Sequence, residues 1–261
     1  MCIRDSSYDV GSYYKGEHLN DIWGLTTIGI AKSQEEMDAH LAKVDQSSVG
    51  TNWGVGDIMY ADLDGDGKIS NGTNKLGDTG DYRIIGNSTP RFKYGITLDA
   101  AWKGFDFSIF MQGIGKRDLW LDGCYFWGAN GQGNEWQSTG FAEHWDFFRP
   151  EGDPLGANLN SYYPRVNFSG DRNTKVQTRY LQNGAYLRLK NVQLGYTLPR
   201  VWTEKAGISS VRVYVSGDNL ATITSLSKIF DPEATGSLAG TGSGKLYPLQ
   251  RVISVGVNVN F

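Results

Sequence analysis

The stretch QRVISVGVNVNF, residues 250–261, decides the fold class of this chain. From Ile253 to Phe261 every second residue is apolar, and the residues between them are serine, glycine or asparagine. Such alternation places the apolar side chains on one face of a β-strand and the polar or small ones on the other. A strand that crosses a bacterial outer membrane needs roughly 9 to 11 residues, with one face toward lipid and one toward the lumen. The stretch therefore predicts a membrane strand, although the terminal strand of a soluble β-sandwich would alternate in the same way.

Composition narrows the classes of protein that fit. The 261 residues carry a formal net charge of −3, which provides no basic footprint for nucleic acid. No apolar run is long enough for a membrane helix. The 34 glycine, 14 tyrosine and 8 tryptophan residues suit a barrel with long polar loops, and they also suit a secreted carbohydrate-binding β-protein. Cys2 and Cys124 show neither metal-ligand spacing nor a disulfide framework.

The clearest pair of strands covers residues 92–112. Apolar side chains occupy the even positions from Phe92 to Trp102 and the odd positions of residues 105–111. Only Lys103 and Gly104 separate the two runs, which predicts a long hairpin with a tight turn. Aromatic side chains cluster on the apolar face beside that turn, as they do at a membrane interface.

Two further strands are predicted at residues 186–198 and 211–216. In the first of them the apolar residues change parity at Lys190 and Asn191, which predicts a β-bulge at that point. The connections alternate in length along the chain, being short at 103–104, long at 116–183, short at 199–207 and long at 221–248. Outer-membrane barrels keep short turns on the periplasmic side and long loops outside, so this order favours a barrel with Phe261 at the periplasmic rim.

The chain before these strands has a different character. Residues 1–6 follow no signal-peptide or helix-cap pattern and are interpreted as a non-native scar. Residues 7–90 are predicted to hold an aromatic, glycine-rich region over 8–31 that is extended around 20–30, a short helix over 34–45 and an irregular loop over 50–90. The helix is predicted from a capping box, because Ser33 is followed three residues later by Glu36. Residues 91–261 then form the barrel strands, which end with the terminal strand 250–261.

Several phrases of the sequence occur in the order found in a known family. They are GDIMYADLDGDGKI (56–69), IGNSTP (85–90), YG (94–95), WKGFDF (102–107), QG (112–113), GAYLRLKN (184–191), GYTLP (195–199), SGDNL (216–220), DPE (231–233) and the aromatic Phe261. Each phrase is weak alone, but together they span nearly the whole chain. The chain resembles the C-terminal part of SusC/RagA-type TonB-dependent outer-membrane transporters.

The resemblance implies both an architecture and a function. It implies all-β, antiparallel transmembrane strands with long extracellular loops, drawn from a plugged barrel of roughly 22 strands. It implies import of oligosaccharides or peptides across the bacterial outer membrane, with no enzymatic activity. The partners would be TonB, through a part absent from this chain, and a SusD-like surface lipoprotein. The aromatic Phe261 would be the outer-membrane assembly signal. Five strands, or seven to eight with the N-terminal ones, cannot close that barrel, so the fragment alone is not expected to transport.

The Asp-rich loop at residues 62–73 predicts a calcium site. Carboxylates at its first, third and fifth positions and glycine at its sixth match the front of a calcium loop. The twelfth position is Thr73 rather than the usual glutamate, so Asp78 or Asp81 would have to complete the coordination. An Asp/Gly surface turn without metal is the alternative. The predicted ligands are Asp62, Asp64, Asp66, Lys68 (through its carbonyl), Ser70 and Asp78.

The long loop at 116–183 holds candidate ligand-binding and catalytic residues. The aromatic residues Trp120, Tyr125, Phe126, Trp127 and Trp136 could stack on sugars, or could pack against one another or a partner. Glu143 and Asp146 flank His144 and Trp145, but carboxylates so close in sequence seldom form a glycosidase pair, so catalysis is not expected. Arg188, Lys190 and Arg212 are interpreted as solvated charges of the pore wall.

The rival hypotheses make different predictions about one face of the sheet. A secreted, calcium-stabilised β-sandwich that binds carbohydrate would cover its apolar residues with a second sheet. A barrel would leave them as one exposed band facing lipid. A glycan hydrolase, the third hypothesis, would need two carboxylates converging in a cleft. The residues that distinguish sandwich from barrel are Ile96, Leu98, Ile109, Val255 and Val257.

Overall fold

The computed structural model describes residues 9–10, 14, 16–131, 133, 140–234, 247 and 249–261. These residues fall into two compact units. The first is drawn from the described residues up to 89 and from 118–182, and the second from 90–117, 183–234, 247 and 249–261. No helix in the described part of the chain has the length and apolarity needed to span a bilayer.

The described elements alternate short strands with a few short helices before the long strands begin. In chain order they are β1 (Asp21–Gly24), β2 (Thr27–Ile30), α1 (Gln34–Leu41), β3 (Ile58–Tyr60), β4 (Arg83–Asn87), β5 (Arg91–Trp102), β6 (Phe105–Lys116), β7 (Asp118–Leu119), α2 (Cys124–Trp127), a 3₁₀ turn (Ala142–Trp145), β8 (Gln182–Asn183), β9 (Tyr186–Thr197), α3 (Arg200–Thr203), a second 3₁₀ turn (Glu204–Ala206), β10 (Ser210–Thr224) and β11 (Val252–Asn260).

The second unit is built on one antiparallel sheet in the order β11-β10-β9-β6-β5. All five predicted long strands are therefore present in one sheet. The tight turn between β5 and β6 is also confirmed, because Lys103 and Gly104 have φ angles of 47° and 89°. Two successive left-handed residues give the turn that matches the twist of a hairpin. Sheet order and register place neighbouring side chains in rows across the five strands.

One face of this sheet is apolar and uncovered. Adjacent rows of paired residues run across it, the first being Trp102, Phe105, Tyr196, Val213 and Val257, and the second Ala100, Phe107, Leu194, Val215 and Val255. Leu98 is 55% exposed, Val255 76% and Val257 58%, while Ile96 is also exposed and Ile109 is half-buried. A sandwich would bury these side chains under a second sheet. The exposed band favours a barrel facing lipid and is inconsistent with the sandwich.

The predicted β-bulge lies where the parity change placed it. Phe110 pairs with Asn191 and Met111 pairs with Leu189, so Lys190 is the extra residue of β9. The insertion returns Leu187 and Leu189 to the same face as Val192, which the unbroken period of two could not do.

The first unit corrects several sequence-based expectations. Residues 50–90, predicted as irregular, contain β3 and β4, which pair with β2 and β1 in separate two-stranded sheets. The N-terminal strands therefore add nothing to the five-stranded sheet. β3 escaped prediction because Ile58, Met59 and Tyr60 are all buried, so no alternation marks the strand.

Helical elements also differ in detail from the prediction. The helix predicted over 34–45 ends at Leu41, but its cap is as expected, since the Ser33 hydroxyl accepts from the Glu36 amide at 3.1 Å. Residues 199–207, predicted as a simple turn, contain α3 and a 3₁₀ turn that ends at Gly207 with φ 71°. The predicted loop 116–183 contains α2 and a 3₁₀ turn among buried aromatic residues.

Candidate functional site

The aromatic residues of the first unit form a buried core rather than a solvent-exposed stacking surface. Phe126 and Tyr180 are fully buried, and the Trp127 and Tyr180 ring centroids lie 4.7 Å apart. Trp127 is 3% exposed and its indole N–H donates to the Leu121 carbonyl at 3.2 Å. Trp127, a predicted sugar-stacking residue, therefore serves mainly to fill this core. Trp120 and Tyr125 are half-buried, and Trp136 lies outside the described residues.

An aromatic pocket of about 290 Å³ opens beside this core. Trp145 forms part of its wall and is 61% exposed, with the Arg149 guanidinium carbon 5.7 Å from its ring centroid. The remaining lining residues are Trp127, Gly128, Ala129, Asn130, Gly140, Phe141, His144, Phe147, Tyr163, Val166 and Phe168. Such a lining suits an apolar side chain or the face of a sugar ring.

The acid–base residues beside the pocket are occupied by structural contacts. The Phe141 amide donates to His144 Nδ1 at 3.1 Å, so the proton lies on Nε2, which donates to the Phe126 carbonyl at 3.1 Å. The Asp146 carboxylate accepts from the side-chain amide of Asn158 at 2.8 Å and from the Tyr162 amide at 3.1 Å. These contacts favour a structural role for the cluster over catalysis.

A buried carboxylate that the sequence did not single out organises the first unit. Asp57 is fully buried and receives two bonds from the Arg165 guanidinium, from Nε at 2.7 Å and from the terminal nitrogen at 2.6 Å. Asn173 donates to it at 2.8 Å and the Gly54 amide at 3.0 Å. A buried charge needs such partners. Its position in the family phrase 56–69 was the only signal, because its side-chain partners lie more than 100 residues away.

Backbone amides of the Asp-rich loop itself hold the carboxylate of Asp62. Asp62 accepts from the amides of Gly65 at 2.7 Å and Gly67 at 2.9 Å, and both glycines have positive φ. These bonds hold the pKa of Asp62 below its usual range. Ligand oxygens of Asp62, Asp64 and Asp81 lie within 4.8 Å of one another.

Asp81, rather than Asp78, joins this group of three carboxylates. Asp81 is fully buried and accepts from the amides of Leu63 at 2.6 Å and Ser70 at 2.9 Å. Asp78 instead accepts from the Thr73 amide at 3.0 Å. Hydrogen bonds from the Thr73 hydroxyl and then from this amide lower the pKa of Asp78.

The electrostatics of Asp64 show the crowding of negative charge in this loop. The Asp66 amide donates to Asp64 at 3.1 Å, and this hydrogen bond is the largest single influence and lowers its pKa. Burial and repulsion from Asp66, Asp81 and Asp62 together outweigh it, so the pKa is raised. Asp66 accepts from the Lys68 amide at 2.7 Å, and Ser70 accepts through its hydroxyl from Gly72 at 3.1 Å. Neighbouring carboxylates that oppose one another's ionisation are suited to a divalent cation.

The polar face of the five-stranded sheet carries paired charges. Asp106 on β6 and Arg212 on β10 meet across β9, with one bond of 2.9 Å from Arg212 Nε and a second from its terminal nitrogen. They meet over Gly195, where an added Cβ would lie 2.5 Å from atoms of both side chains. Arg212, interpreted from the sequence as a solvated charge, is thus partly exposed and paired with Asp106.

Arg188 and Lys190 hold a loop, and the interpretation as a solvated charge is wrong for Arg188, which is buried. Arg188 is 4% exposed and its guanidinium contacts Asp231 at 2.7 Å and also Glu233. Lys190 contacts Glu233 at 2.9 Å. The residues after β10 are thus fastened to the polar face of the sheet by four charged groups. The sequence could not predict this, since the partners are more than 40 residues apart.

A cavity of about 520 Å³ adjoins these charges in the second unit. Its wall combines the aromatic residues Tyr94, Phe110 and Tyr186 with the charged residues Lys93 and Glu233. The remaining lining residues are Pro90, Gly95, Gln112, Gly113, Ile114, Arg117 and Pro232. Aromatic faces beside both a cationic and an anionic hydrogen-bonding group suit a polar ligand that is either uncharged or zwitterionic.

Comparison with known proteins gives consistent relatives. No family model matches the chain. TonB-dependent receptor P3 of Formosa agariphila is 33% identical over 216 residues, which cover 79% of this chain and 19% of that protein. TonB-dependent receptor P26 of the same organism is 30% identical over 256 residues, which cover 94% of this chain and 23% of that protein. The chain thus spans about a fifth of the length of these curated relatives.

Solved structures of a RagAB importer have the same fold. The RagAB peptide importer in its open-open state superposes with a TM-score of 0.61 and 23% identity, covering 92% of this chain and 22% of that one. The RagAB peptide transporter gives a TM-score of 0.60 at the same identity, covering 92% of this chain and 23% of that one. The predicted fold class, antiparallel strands of an outer-membrane barrel, is confirmed by this likeness.

Proposed function

We infer that this chain is part of the β-barrel of a TonB-dependent receptor of the SusC/RagA type, which imports nutrients across the bacterial outer membrane. The observation that carries the proposal is the apolar face of the five-stranded sheet, on which Ile253 is 70% exposed and Val255 76%. A soluble protein rarely exposes so broad an apolar band, whereas the outer surface of a membrane barrel consists of one. The relatives over most of the chain are named as receptors, which supports the same function.

The ligand that fits these residues is an oligosaccharide or a peptide. The exposed Trp145 ring beside the aromatic pocket suits stacking on a sugar or on an apolar side chain, and the larger cavity offers both charges. A SusD-like surface lipoprotein would deliver the ligand, and TonB would supply energy through another part of the receptor. The receptor would change conformation without altering its ligand, in agreement with the structural roles of His144 and Asp146. We also assign Phe261, 90% exposed, as the outer-membrane assembly signal.

A pair of substitutions on neighbouring residues of β11 tests the membrane orientation. Val255→Arg places a charge on the apolar face, and we expect it to lower the free energy of unfolding by about 2–4 kcal/mol. Ser254→Arg places the same charge on the opposite face and should cost much less, because that face meets water. The measurement is urea unfolding of the complete receptor in lipid vesicles. Equal costs for the two variants would contradict the proposal.

We further propose that the Asp-rich loop binds Ca²⁺. Asp62, Asp64 and Asp81 would supply carboxylate oxygens, which are the ligands that this hard cation prefers. Bound calcium would neutralise the repulsion around Asp64 and order the loop.

Calorimetric titration of the complete receptor with Ca²⁺ tests this site. Asp64→Asn should weaken binding by at least about tenfold, because it removes one charged ligand from the group. Asp78→Asn is the matched control, since Asp78 bonds to Thr73 outside that group, and it should leave binding unchanged. The site is refuted if the receptor binds no calcium, or if only the Asp78 variant loses it.

A further inference from the structure

We propose that the connection between β9 and β10 is seated in the phospholipid interface of the membrane, inserted through Val201 and Trp202. This inference rests on the proposed function, because it assumes that the apolar face of the sheet meets lipid. It assigns a membrane contact to a segment outside the spanning strands.

The exposure of two apolar side chains on α3 is the first observation. Val201 is 70% exposed and Trp202 65%. Thr203 is buried on another side of the same helical turn, and its hydroxyl donates to the Arg200 carbonyl at 3.2 Å. The segment therefore buries Thr203 and leaves its two large apolar side chains exposed.

The position of this segment in the sheet is the second observation. Tyr196 pairs with Phe105 and Ser210 pairs with Asn260, so the 198–209 connection lies at the same end of the sheet as the Lys103–Gly104 turn. Trp102 is 69% exposed at this end. Val201 and Trp202 thus add exposed apolar side chains at the end of the sheet where Trp102 is exposed. Tryptophan favours the boundary between hydrocarbon and head groups, where its ring is buried and its N–H meets water.

The charges at this end indicate phospholipid rather than protein as the occupant. Lys103, Arg200 and Lys205 are exposed cations, and Glu204 is the single carboxylate beside them in the same segment, where it pairs with Arg200 at 2.6 Å. Lys103 Nζ lies 4.9 Å from the Trp102 ring centroid. Cations around an apolar insertion complement the phosphate groups of a lipid surface.

Fluorescence quenching in the complete receptor tests the inference. The receptor would be reconstituted in phosphatidylethanolamine/phosphatidylglycerol vesicles whose acyl chains are dibrominated either near the head group or near the chain end. The emission of Trp202 is obtained as the difference between the receptor and its Trp202→Phe variant. We expect bromine near the head group to quench this emission roughly twofold more strongly than bromine near the chain end.

A second variant separates failure of this inference from failure of the proposed function. Val255→Trp in the Trp202→Phe background places a reporter on the apolar face, where bromolipid should quench it. If that reporter is quenched but Trp202 responds only to aqueous acrylamide, or to neither quencher, the interfacial seat is refuted and the barrel stands. If bromolipid quenches neither position, the barrel orientation itself is wrong.

Discussion

At the scale of single residues, the most informative contacts join positions that the sequence gives no reason to pair. Alternation along β6, β9 and β10 places Asp106 and Arg212 on the polar face, and this much could be predicted. Their pairing across Gly195 could not, because it requires β9 to lie between two strands that are far apart in the chain. Asp57 shows the same limit, since Arg165 and Asn173 reach it from more than 100 residues away.

Gly195→Ala should weaken the sheet by opening this ion pair. The added Cβ would lie 2.5 Å from both Asp106 Oδ1 and an Arg212 nitrogen, so one side chain must leave. We expect a loss of about 1–3 kcal/mol in the free energy of unfolding, as for an overpacked site. Gly29→Ala is a matched control within a strand, because no atom lies within 4 Å of its added Cβ. Urea unfolding in vesicles would measure both, and equal stability of the two variants would show that the close approach relaxes freely.

At the scale of elements, alternation predicts a strand only where the two faces of that strand meet different surroundings. Each of the five long strands has one apolar and one polar face, so its alternation of apolar and polar residues can be recognised in the sequence. β3 is buried on both faces and β4 mixes half-buried and exposed residues, so neither shows the pattern. The helical turn after β9 was missed because four residues are too few for a helical period.

The loop after β10 should stay attached to β9 down to low pH and detach only below it. Burial raises the pKa of Asp231, but hydrogen bonds from Arg188 and from the amides of Glu233 and Leu249 outweigh it and leave the pKa below the usual value. A carboxyl whose folded pKa is depressed stabilises the fold above its unfolded pKa, and this stability is lost as pH falls through the folded pKa. We therefore expect residues 226–234 to lose amide protection, measured relative to the intrinsic exchange rate at each pH, only in acid well below the usual carboxyl range.

Arg188→Gln tests whether the attachment of this loop depends on the Arg188 ion pairs. Removing one partner of a buried pair costs about 3–5 kcal/mol, so exchange in the loop should accelerate already at neutral pH. Arg212→Gln is the control, because it removes the same charge from the same face without contacting the loop. Identical exchange profiles for the two variants would show that Arg188 does not hold the loop.

At the scale of the whole molecule, no described strand pairs with the outer sides of β5 and β11, the two edges of the sheet. The sorted loop lengths allowed the barrel to be predicted, and the family phrases agreed. The compact first unit could not be predicted, because contacts such as that from the Thr27 hydroxyl to Gln177 at 2.6 Å join residues 150 positions apart. Polar networks of this kind produce no periodic pattern of apolar residues in the sequence.

The 261-residue chain on its own should neither transport nor remain monomeric. Unpaired strand edges form hydrogen bonds with the edges of other chains, which leads to association. A five-stranded open sheet cannot close into a pore. We expect reconstituted vesicles to show no ligand uptake and light scattering to show association of several chains. The complete receptor is the control for uptake. A monomeric chain with uptake equal to the control would contradict the open-edged sheet.

The bulge at Lys190 has a consequence for how such a wall changes during evolution. An inserted residue in a membrane strand would ordinarily rotate everything beyond it by half a turn and bring a cation into hydrocarbon. Here the insertion is absorbed within the strand, so leucines on one side keep their orientation while a lysine joins Arg188 on the other. A single inserted codon can thus add a charge to the polar face of the sheet without changing its apolar face.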